Sequence, residues 1–333
     1  MTAAGLTARR PAPNVTAMET VRAFAPATVG NVICGFDVLG LALERPGDEV
    51  IARRSPADGV TIVAIHGDGG RLPLDAGENV AGVAASAVIA VSGGQHGVEL
   101  ELRKGLPLAA GMGGSAASAV AAAVATDALL GTGLDRPALL ACALEGERVG
   151  AGAGHADNAA PCLYGGMALS RPGDPVDVVA LPVPTGLSVA LVHPPHEILT
   201  EQARSILPKG LPLDKVVAQM ADVSAFVSAL YSGDLDLLGR ALVDRIAEPV
   251  RRSLVPGFDS VRAAALAAGA LGAGISGAGP SMFALCRSLP EAHAVADAMA
   301  KAFAGAGLEG ADRHVSEVAM EGARVLADRD PAP

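Results

Sequence analysis

The sequence predicts an α+β fold arranged in two domains. Strand-like and helix-like segments are mixed along the chain without the strict βα alternation of a doubly wound sheet. A chain of 333 residues also exceeds the size at which a single hydrophobic core is usual. Hydrophobic residues make up 50% of the chain and aromatic residues only 2%, so Ala, Val, Leu and Ile must build the core through close backbone approach. We expect an N-terminal domain over 19–182, a C-terminal domain over 183–328, and tails at 1–18 and 329–333.

The first half of the chain predicts several strands, with helices between and after them. "TVRAFAPATVGNVICGFDVLGLAL" predicts a strand, a glycine-containing turn and a second apolar run. "DEVIARRS" and "GVTIVAIHG" have the length and β-branched content of strands, and "GVELELRKG" alternates like a half-buried strand. "ENVAGVAASAVIAVSGG" predicts a helix that ends at Gly93 and Gly94, and a long helix begins at about Ser115. Asp135 followed by Pro137 marks the start of the next helix.

The second half predicts a loop, a short helix and a strand in "GAGAGHADNAAPCLYGGMALS". Two strands follow in "DPVDVVALPVPTGLSVALVHP", which contains the expected domain boundary. The remaining predicted elements are helices at 201–207, 213–231, 234–247, 258–269 and 290–305, and strands at 272–276, 281–286 and near 313–320.

Composition also narrows the class of partner and the cellular compartment. The net charge of −10 argues against nucleic acid, because phosphate neutralisation needs clustered Lys and Arg. The four cysteines form no CxxC pair, so neither zinc nor a disulfide framework is expected. The chain has no apolar run long enough to span a bilayer and no apolar signal segment near its start. We therefore expect a cytoplasmic protein with no membrane partner.

The strongest functional signal is the stretch "LPLAAGMGGSAASAVAAAVATDALL". Gly111, Gly113 and Gly114 precede an alanine-rich helix, and such a junction presents backbone N–H groups and the positive end of the helix dipole to an anion. Ser115 fits the N-cap position, and its hydroxyl could also ligate a phosphate-bound Mg²⁺. The alternative is an ordinary serine-capped helix entered through a flexible loop.

Two familiar phosphate motifs do not account for this junction. A Walker A loop requires a Gly-Lys pair, which the sequence lacks. "GAGISG", from Gly272 to Gly277, matches G-x-G-x-x-G, but the "GPSMFALC" that follows predicts a strand and not a helix. The dinucleotide-binding context is therefore absent.

A dense polar group occurs in "EGERVGAGAGHADN", which holds Glu145, Glu147, His155, Asp157 and Asn158. Such a concentration of ionisable residues beside glycines is unusual in an alanine-rich chain and is a candidate site. The alternative is the solvated end of a helix followed by a loop.

Two smaller candidates lie elsewhere in the sequence. Asn31 and Asp37 interrupt the apolar "ATVGNVICGFD", although Asn, Gly and Asp also favour a plain turn between strands. Arg204 and Arg251 are single cations in apolar surroundings, where a salt bridge or a surface side chain with a buried stem is the alternative.

Taken together, these motifs resemble those of the GHMP kinases, the small-molecule kinases named for galactose, homoserine, mevalonate and phosphomevalonate. "PLAAGMGGSAAS" resembles the family's Pro-x3-Gly-Leu-Gly-Ser-Ser-Ala-Ala loop. "APATVGNVICGFDVLG", "GHADNAAPCLYGG", "ARSILP", "EPVRRSLVPGF" and "GISGAGPS" look like the remaining motifs of the branch that acts on homoserine, in order over roughly 20–320. The resemblance implies a ribosomal-protein-S5-like N-terminal domain, a ferredoxin-like C-terminal domain and an active site between them.

The resemblance also implies a reaction and its ligands. The reaction is transfer of the ATP γ-phosphate to the side-chain hydroxyl of L-homoserine, giving O-phospho-L-homoserine in threonine biosynthesis, with Mg²⁺ required and homodimers usual. The implied ATP-binding residues are Pro107, Ala110, Gly111, Met112, Gly113, Gly114, Ser115, Ala116 and, near adenine, Asn79. The implied metal ligands are Ser115 and Glu147.

The implied amino-acid pocket contains Asn31, Asp37, His155, Asp157, Asn158, Arg204 and Arg251. In it the two arginines clamp the substrate carboxylate through their planar guanidinium groups, and Arg252 leaves open which member of its pair enters. Asp157 takes the ammonium group, while Asn31 and Asn158 orient the attacking hydroxyl. Some relatives place an aspartate base where this chain has Asn158, so no dedicated general base is expected.

The sequence departs from the family pattern at the loop. Gly114 stands where the family commonly has the first of two serines, and Met112 replaces a leucine. The backbone donor at Gly114 survives, so we expect retained activity. One alternative is a GHMP kinase for mevalonate or a sugar, which would not need Asp157 and the paired arginines. Another is a non-catalytic sensor on the same fold, which would not need Ser115 and Glu147.

Overall fold

The structure is a computed structural model that describes residues 19–151 and 155–327. The predicted tails at 1–18 and 329–333 lie outside the described residues. The strands are β1 (Thr20–Gly30), β2 (Leu39–Ser55), β3 (Gly59–His66), β4 (Gly97–Arg103), β5 (Met167–Arg171), β6 (Asp177–Leu181), β7 (Ser188–His193), β8 (Gly272–Ile275), β9 (Met282–Cys286), β10 (Asp312–Glu317) and β11 (Arg324–Leu326). The helices are α1 (Val80–Ser92), α2 (Gly114–Leu130), α3 (Arg136–Ala151), α4 (Ala156–Tyr164), α5 (Thr200–Ser205), α6 (Leu213–Ser232), α7 (Leu235–Ala241), α8 (Glu248–Arg251), α9 (Phe258–Ala267) and α10 (Leu289–Gly305).

The strands form two sheets. The first has the order β11-β1-β2-β4-β3, with β5 paired to β2 and β6 to β5. Its β3–β4 pair is parallel and its other pairs are antiparallel. The second sheet is antiparallel, with the order β10-β7-β9-β8. The predicted boundary at 182/183 lies between β6 and β7 and stays a prediction.

The alanine-rich helix α2 packs against strands β1 and β2 of the first sheet and against helices α1 and α3. Residues 116–126 are all buried, as expected of a helix that is apolar on every side. Small side chains let the neighbouring backbones come close. A Cβ atom on Gly146 of α3 would lie 2.3 Å from the carbonyl oxygen of Val80 in α1. The expected close backbone approach is therefore confirmed.

The predicted helix at 234–247 is too long. Helix α7 ends at Ala241, and the Asp244 carboxylate then accepts the backbone N–H groups of Ile246 at 2.7 Å and of Glu248 at 2.9 Å. An aspartate that bonds the amides just beyond it favours a turn and a new helix start over a continuing helix. The segment is therefore divided, and α8 begins at Glu248.

The strand pattern also needs two corrections. The two strands expected between Leu39 and Ser55 are one continuous strand, β2. The strand expected near 313–320 ends at Glu317, and β11 was not predicted. A strand of three residues is too short to show an alternating apolar pattern in the sequence. Its partner, β1, lies at the other end of the described chain.

The sequence analysis expected no membrane-spanning segment, no zinc site and no disulfide framework, and the described part of the chain gives two observations on these points. No helix there is long and apolar enough to cross a membrane. All four cysteines are buried and free.

Candidate active site

A cleft of about 480 Å³ lies where the start of α2, the turn after β1 and the start of α4 meet α5, α8 and the turn between β8 and β9. Most residues that the sequence analysis selected line it. They are Asn31, Asp37, Asn79, Pro107, Ala110, Gly111, Gly113, Gly114, Ser115, Glu147, His155, Asp157, Asn158, Arg204 and Arg251. Met112 and Ala116 do not line the cleft, because both are buried under the loop.

The glycine loop leads into α2 without a side-chain cap. Gly113 takes the N-cap position with φ +70°, so the expectation that Ser115 caps the helix is wrong. The hydroxyl of Ser115 instead donates to Glu147 Oε2 at 3.1 Å. No side-chain hydrogen bond caps the start of α2 in the described part of the chain, and N–H groups at an uncapped helix start suit an anion.

The loop glycines are required by close contacts. A Cβ atom on Gly113 would lie 2.0 Å from Thr28 Oγ1. On Gly111, with φ +75°, it would lie 2.4 Å from the carbonyl oxygen of Ser276. A Cβ atom on Gly114 would meet nothing closer than 3.6 Å, so the serine common in the family would fit there.

A buried ion pair that sequence reasoning missed supports the loop from below. Lys104 pairs with Asp48 and donates to Gly114 O at 2.9 Å and to Ser118 Oγ at 2.7 Å. Asp48 also accepts the N–H groups of Gly105 and Leu106 at 3.1 and 3.2 Å. These bonds use all three protons of the Lys104 ammonium group, so Lys104 holds the loop in place. No local sequence signal marks Lys104, because its partner Asp48 is 56 residues away.

The turn between β8 and β9 fastens the loop from the C-terminal side. Ser276 Oγ donates to Gly111 O at 2.6 Å, and the N–H of Ser281 donates to Ala110 O at 3.2 Å. The N–H of Gly277 donates to Gly30 O at 3.2 Å. The G-x-G-x-x-G match is followed by β9 and not by a helix, which confirms that the dinucleotide-binding context is absent.

Glu147 and Ser115 form the candidate metal centre. Burial raises the pKa of Glu147 to about 7, against the opposing effects of the Ser115 hydrogen bond and Lys104. Glu147 is only 6% exposed, and its Oε1 has no hydrogen-bond partner among the described residues. An orphaned carboxylate oxygen beside a hydroxyl fits a hard cation such as Mg²⁺, which takes one or two protein ligands and completes its shell with phosphate oxygens and water.

The outer part of the predicted amino-acid pocket is an ion pair between Arg204 and Asp37. Arg204 donates to both carboxylate oxygens of Asp37, at 2.9 and 3.2 Å. His155 Nδ1 lies 3.6 Å from Asp37 Oδ2, and burial lowers the pKa of His155. The two-pronged pair fixes the Arg204 guanidinium in the cleft. Within residues 19–151 and 155–327, the Nε of Arg204 has no hydrogen-bond partner.

The inner part holds a carboxylate and two amides. Asp157 is 2% exposed, and its Oδ2 accepts the N–H of Asn31 at 3.2 Å. Burial and, secondarily, the charge of Asp37 raise the pKa of Asp157 to about 6. Asp157 Oδ1 is buried with no partner in the described part of the chain. Nearby, Asn158 Oδ1 accepts a hydrogen bond from Thr28 Oγ1 at 2.9 Å.

Arg251, and not Arg252, lines the cleft. Arg251 is 3% exposed and donates to Ala203 O and to Gly277 O, both at 3.1 Å. Its guanidinium carbon lies 5.5 Å from the centre of the Phe36 ring. Arg252 is exposed and contacts Asp259 at the surface.

At the other end of the cleft, Asn79 is the N-cap residue of α1. Its side chain accepts the N–H of Ala81 at 3.0 Å, capping α1, and donates to Pro73 O at 2.9 Å. Arg71, which also lines the cleft, forms a two-pronged ion pair with Glu197 at 2.6 and 2.8 Å. Sequence reasoning missed this exposed pair, because nothing in the sequence links residues so far apart.

Comparison with known proteins agrees with this geometry. Family models of the GHMP kinases N terminal domain and of the GHMP kinases C terminal match residues 79–166 and 226–305. A homoserine kinase of Chlorobium phaeovibrioides is 47% identical over 320 residues, covering 93% of this chain and 100% of that protein. One of Xanthomonas campestris is 42% identical over 315 residues, covering 95% and 97%. The crystal structure of homoserine kinase from Cytophaga hutchinsonii has a TM-score of 0.91 at 47% identity, covering 94% of this chain and 99% of that chain.

The chain belongs to the GHMP kinase family, and the predicted α+β fold with N- and C-terminal GHMP domains is confirmed. Within that family it belongs to the homoserine kinases, which are phosphotransferases of threonine biosynthesis.

Proposed function

We propose that this protein transfers the γ-phosphoryl group of ATP to the side-chain hydroxyl of L-homoserine, releasing ADP and O-phospho-L-homoserine. One observation carries the proposal: a single cleft holds a glycine-flanked helix N-terminus without a side-chain cap together with Arg204, Arg251, Asp37 and Asp157. The first feature suits a polyphosphate. The second suits a small molecule with both a carboxylate and an ammonium group. Mevalonate and galactose lack that pair of charges.

The phosphates of ATP would lie against the backbone from Gly111 to Ser115. The N–H groups there have no side-chain cap, and the positive end of the α2 dipole adds to their attraction for an anion. Pro107 and Ala110 form the adjoining wall of the cleft. Since both ends of the Asn79 amide are used in capping α1, we assign Asn79 to shaping the adenine end.

Mg²⁺ would be held by Ser115 and Glu147. A cation held there would supply positive charge to offset the phosphate oxygens and would favour the ionised form of the Glu147 carboxylate. Because two side chains are few ligands for this ion, phosphate oxygens and water would supply the others.

Homoserine would bind with its carboxylate between Arg204 and Arg251. Asp37 holds Arg204 through two hydrogen bonds. The unpartnered Nε of Arg204 and the second hydrogens of its two terminal nitrogens are then the donors left for the substrate. The buried Arg251 would meet the same carboxylate from the other side. Asp157 Oδ1, which lacks a partner among the described residues, would accept the substrate ammonium group.

The transfer step needs no dedicated base. In phosphoryl transfer the transition state is loose, so positioning and charge stabilisation dominate. The Asn158 amide and the second hydrogen of Asn31 Nδ2, whose first is donated to Gly277 O, would orient the hydroxyl but cannot take its proton. A bond forms between the hydroxyl oxygen and the γ-phosphorus while the bond from that phosphorus to ADP breaks. The hydroxyl proton leaves late and passes to an oxygen of the transferred phosphoryl group.

The substrate assignment is tested by ADP release from ATP and Mg²⁺ with homoserine, threonine, mevalonate or galactose as acceptor. We expect turnover with homoserine and none with mevalonate or galactose. Turnover with mevalonate or galactose instead would overturn the assignment, and homoserine binding without turnover would identify a sensor. A homodimer, as the family implies, is also proposed and can be measured by sedimentation.

The mechanism is tested by Asn158→Ala. We expect a lower kcat, residual activity and unchanged ATP binding, because the amide orients the hydroxyl but does not deprotonate it. Complete loss of turnover with ATP binding intact would show an essential proton-handling role.

A further inference from the structure

Thr28 of β1 touches two parts of the site without lining the cleft itself. It is fully buried, and its backbone N–H donates to the carbonyl oxygen of Met112 in the phosphate loop at 3.1 Å. Its hydroxyl donates to Asn158 Oδ1 at 2.9 Å. One residue therefore connects the loop that faces the nucleotide to the amide that faces the acceptor.

The hydrogen bond from Thr28 occupies the oxygen end of the Asn158 amide and leaves the NH₂ end for other partners. An asparagine side chain has an acceptor oxygen at one end and an NH₂ donor at the other. With Oδ1 held by Thr28, the Nδ2 end lies on the side of Gly30. A Cβ atom on Gly30 would lie 2.6 Å from Asn158 Nδ2 and 2.6 Å from Asp157 Oδ2. The donor end thus lies on the side of the amino-acid pocket.

The phosphate loop packs directly on this hydrogen bond. A Cβ atom on Gly113 would lie 2.0 Å from Thr28 Oγ1 and 3.1 Å from Asn158 Oδ1. The bond therefore lies at the junction of the phosphate loop and the amino-acid pocket, where the γ-phosphate and the acceptor hydroxyl must meet. At that point an N–H donor favours approach of a phosphate oxygen, while an amide oxygen would repel it.

We propose that Thr28 is a positioning residue for phosphoryl transfer, whose hydroxyl fixes the Asn158 amide with its NH₂ group toward the reacting atoms. This inference rests on the proposed function, in which Asn158 orients the hydroxyl of homoserine. When the Thr28 hydroxyl is absent, the amide can rotate and present its oxygen instead. Thr28 touches neither substrate, so its effect must pass through Asn158.

The test compares three substitutions at position 28. Thr28→Val keeps the shape and removes the hydroxyl, and we expect a kcat about 10-fold lower, the rate equivalent of one lost hydrogen bond. We expect KM for ATP and for homoserine to stay within about 2-fold of wild type, because neither ligand contacts Thr28. Thr28→Ser and Thr28→Cys are a matched pair of similar size. The serine should restore kcat and the cysteine, a weak donor, should not.

A double-mutant cycle with Asn158→Ala separates positioning from a structural effect. If Thr28 acts through Asn158, Thr28→Val should not lower kcat further when the amide is already gone. The same 10-fold loss in both backgrounds would overturn the proposal, as would equal kcat for the serine and cysteine variants. A wild-type kcat for Asn158→Ala would refute the role of Asn158 in the proposed function. A slow Asn158→Ala enzyme with a fully active Thr28→Val enzyme would refute only the role of Thr28.

Discussion

The buried carboxylate of Asp157 should make this protein less stable at neutral pH than it would be with an amide there. Asp157 is 2% exposed, and its Oδ1 has no hydrogen-bond partner in the described structure. Replacing it by asparagine keeps the shape and keeps an oxygen to accept the N–H of Asn31. The change therefore removes the buried charge and little else.

The magnitude follows from the pKa of Asp157, which burial raises from 3.8 to about 6. At pH 7 the carboxyl is mostly ionised in both the folded and the unfolded chain, so this difference corresponds to about 3 kcal/mol of lost stability. This figure already includes the hydrogen bond from Asn31, which favours the ionised carboxylate and opposes the effect of burial. We expect Asp157→Asn to raise the free energy of unfolding by about 3 kcal/mol at neutral pH.

The gain in the free energy of unfolding from Asp157→Asn should become smaller as the pH falls. Since the pKa of Asp157 is higher in the folded state, the folded protein binds more protons than the unfolded chain between the two pKa values. The cost of the buried charge is complete above about pH 6 and vanishes as the pH falls below about 4. Wild type should therefore approach the stability of the variant on acidification.

Urea unfolding without ligands, at pH 7.5 and at pH 4, measures both effects. Asp259→Asn is the matched control, because the Asp259 side chain is 76% exposed and its substitution should change stability little at either pH. An equal gain for Asp157→Asn at both pH values, or a loss at pH 7.5, would refute the reasoning.

In steady-state kinetics, Asp157→Asn should raise KM for homoserine about 10- to 100-fold with KM for ATP unchanged, since it loses the proposed ammonium partner.

Three further predictions concern the loop and the arginines. Gly113→Ala should abolish turnover, because its Cβ atom would overlap Thr28, whereas Gly131→Ala, also at positive φ but with open space around it, should stay active. Lys104→Met should lower the free energy of unfolding by about 3–5 kcal/mol, since it leaves a buried carboxylate unpaired. Arg251→Ala should weaken homoserine capture by about 2–4 kcal/mol in kcat/KM, and Arg252→Ala should not.

Each of these predictions has a clear contrary result. Steady-state assays that find Gly113→Ala active would show that the loop can shift away from β1. Chemical unfolding that finds Lys104→Met as stable as wild type would show that water or a rearranged side chain satisfies the carboxylate. Equal KM values for the two arginine variants would remove Arg251 from the substrate pocket.

The parts of the site that are contiguous in sequence could be predicted, and the parts that depend on tertiary pairing could not. The glycine loop and α2 follow from local composition alone. The role of Ser115 does not, because its hydroxyl bonds Glu147, 32 residues away. Asp48 and Lys104 are 56 residues apart and are common surface residue types, so nothing local marks them as a buried pair.

The turn after β1 shows the same limit more sharply, since the sequence favoured a turn there but not its conformation. Asn31, Val32 and Ile33 all have positive φ, at 68°, 43° and 60°. For β-branched residues such a conformation costs on the order of 1–3 kcal/mol each, so no propensity rule would select it. Burial of both apolar side chains offsets that cost.

The strained turn positions the backbone N–H, the Nδ2 and the Oδ1 of Asn31 for three separate hydrogen bonds. Its N–H reaches Asp157, its Nδ2 donates to Gly277 O at 3.0 Å, and its Oδ1 accepts the N–H of Asp37 at 2.9 Å. A residue in an extended strand conformation could not hydrogen-bond to α4, to the turn before β9 and to its own loop at the same time. The backbone strain is therefore located at the residue that joins the two halves of the cleft. A proposed acceptor pocket held by these three hydrogen bonds would need little ordering on binding, which lowers the entropic cost.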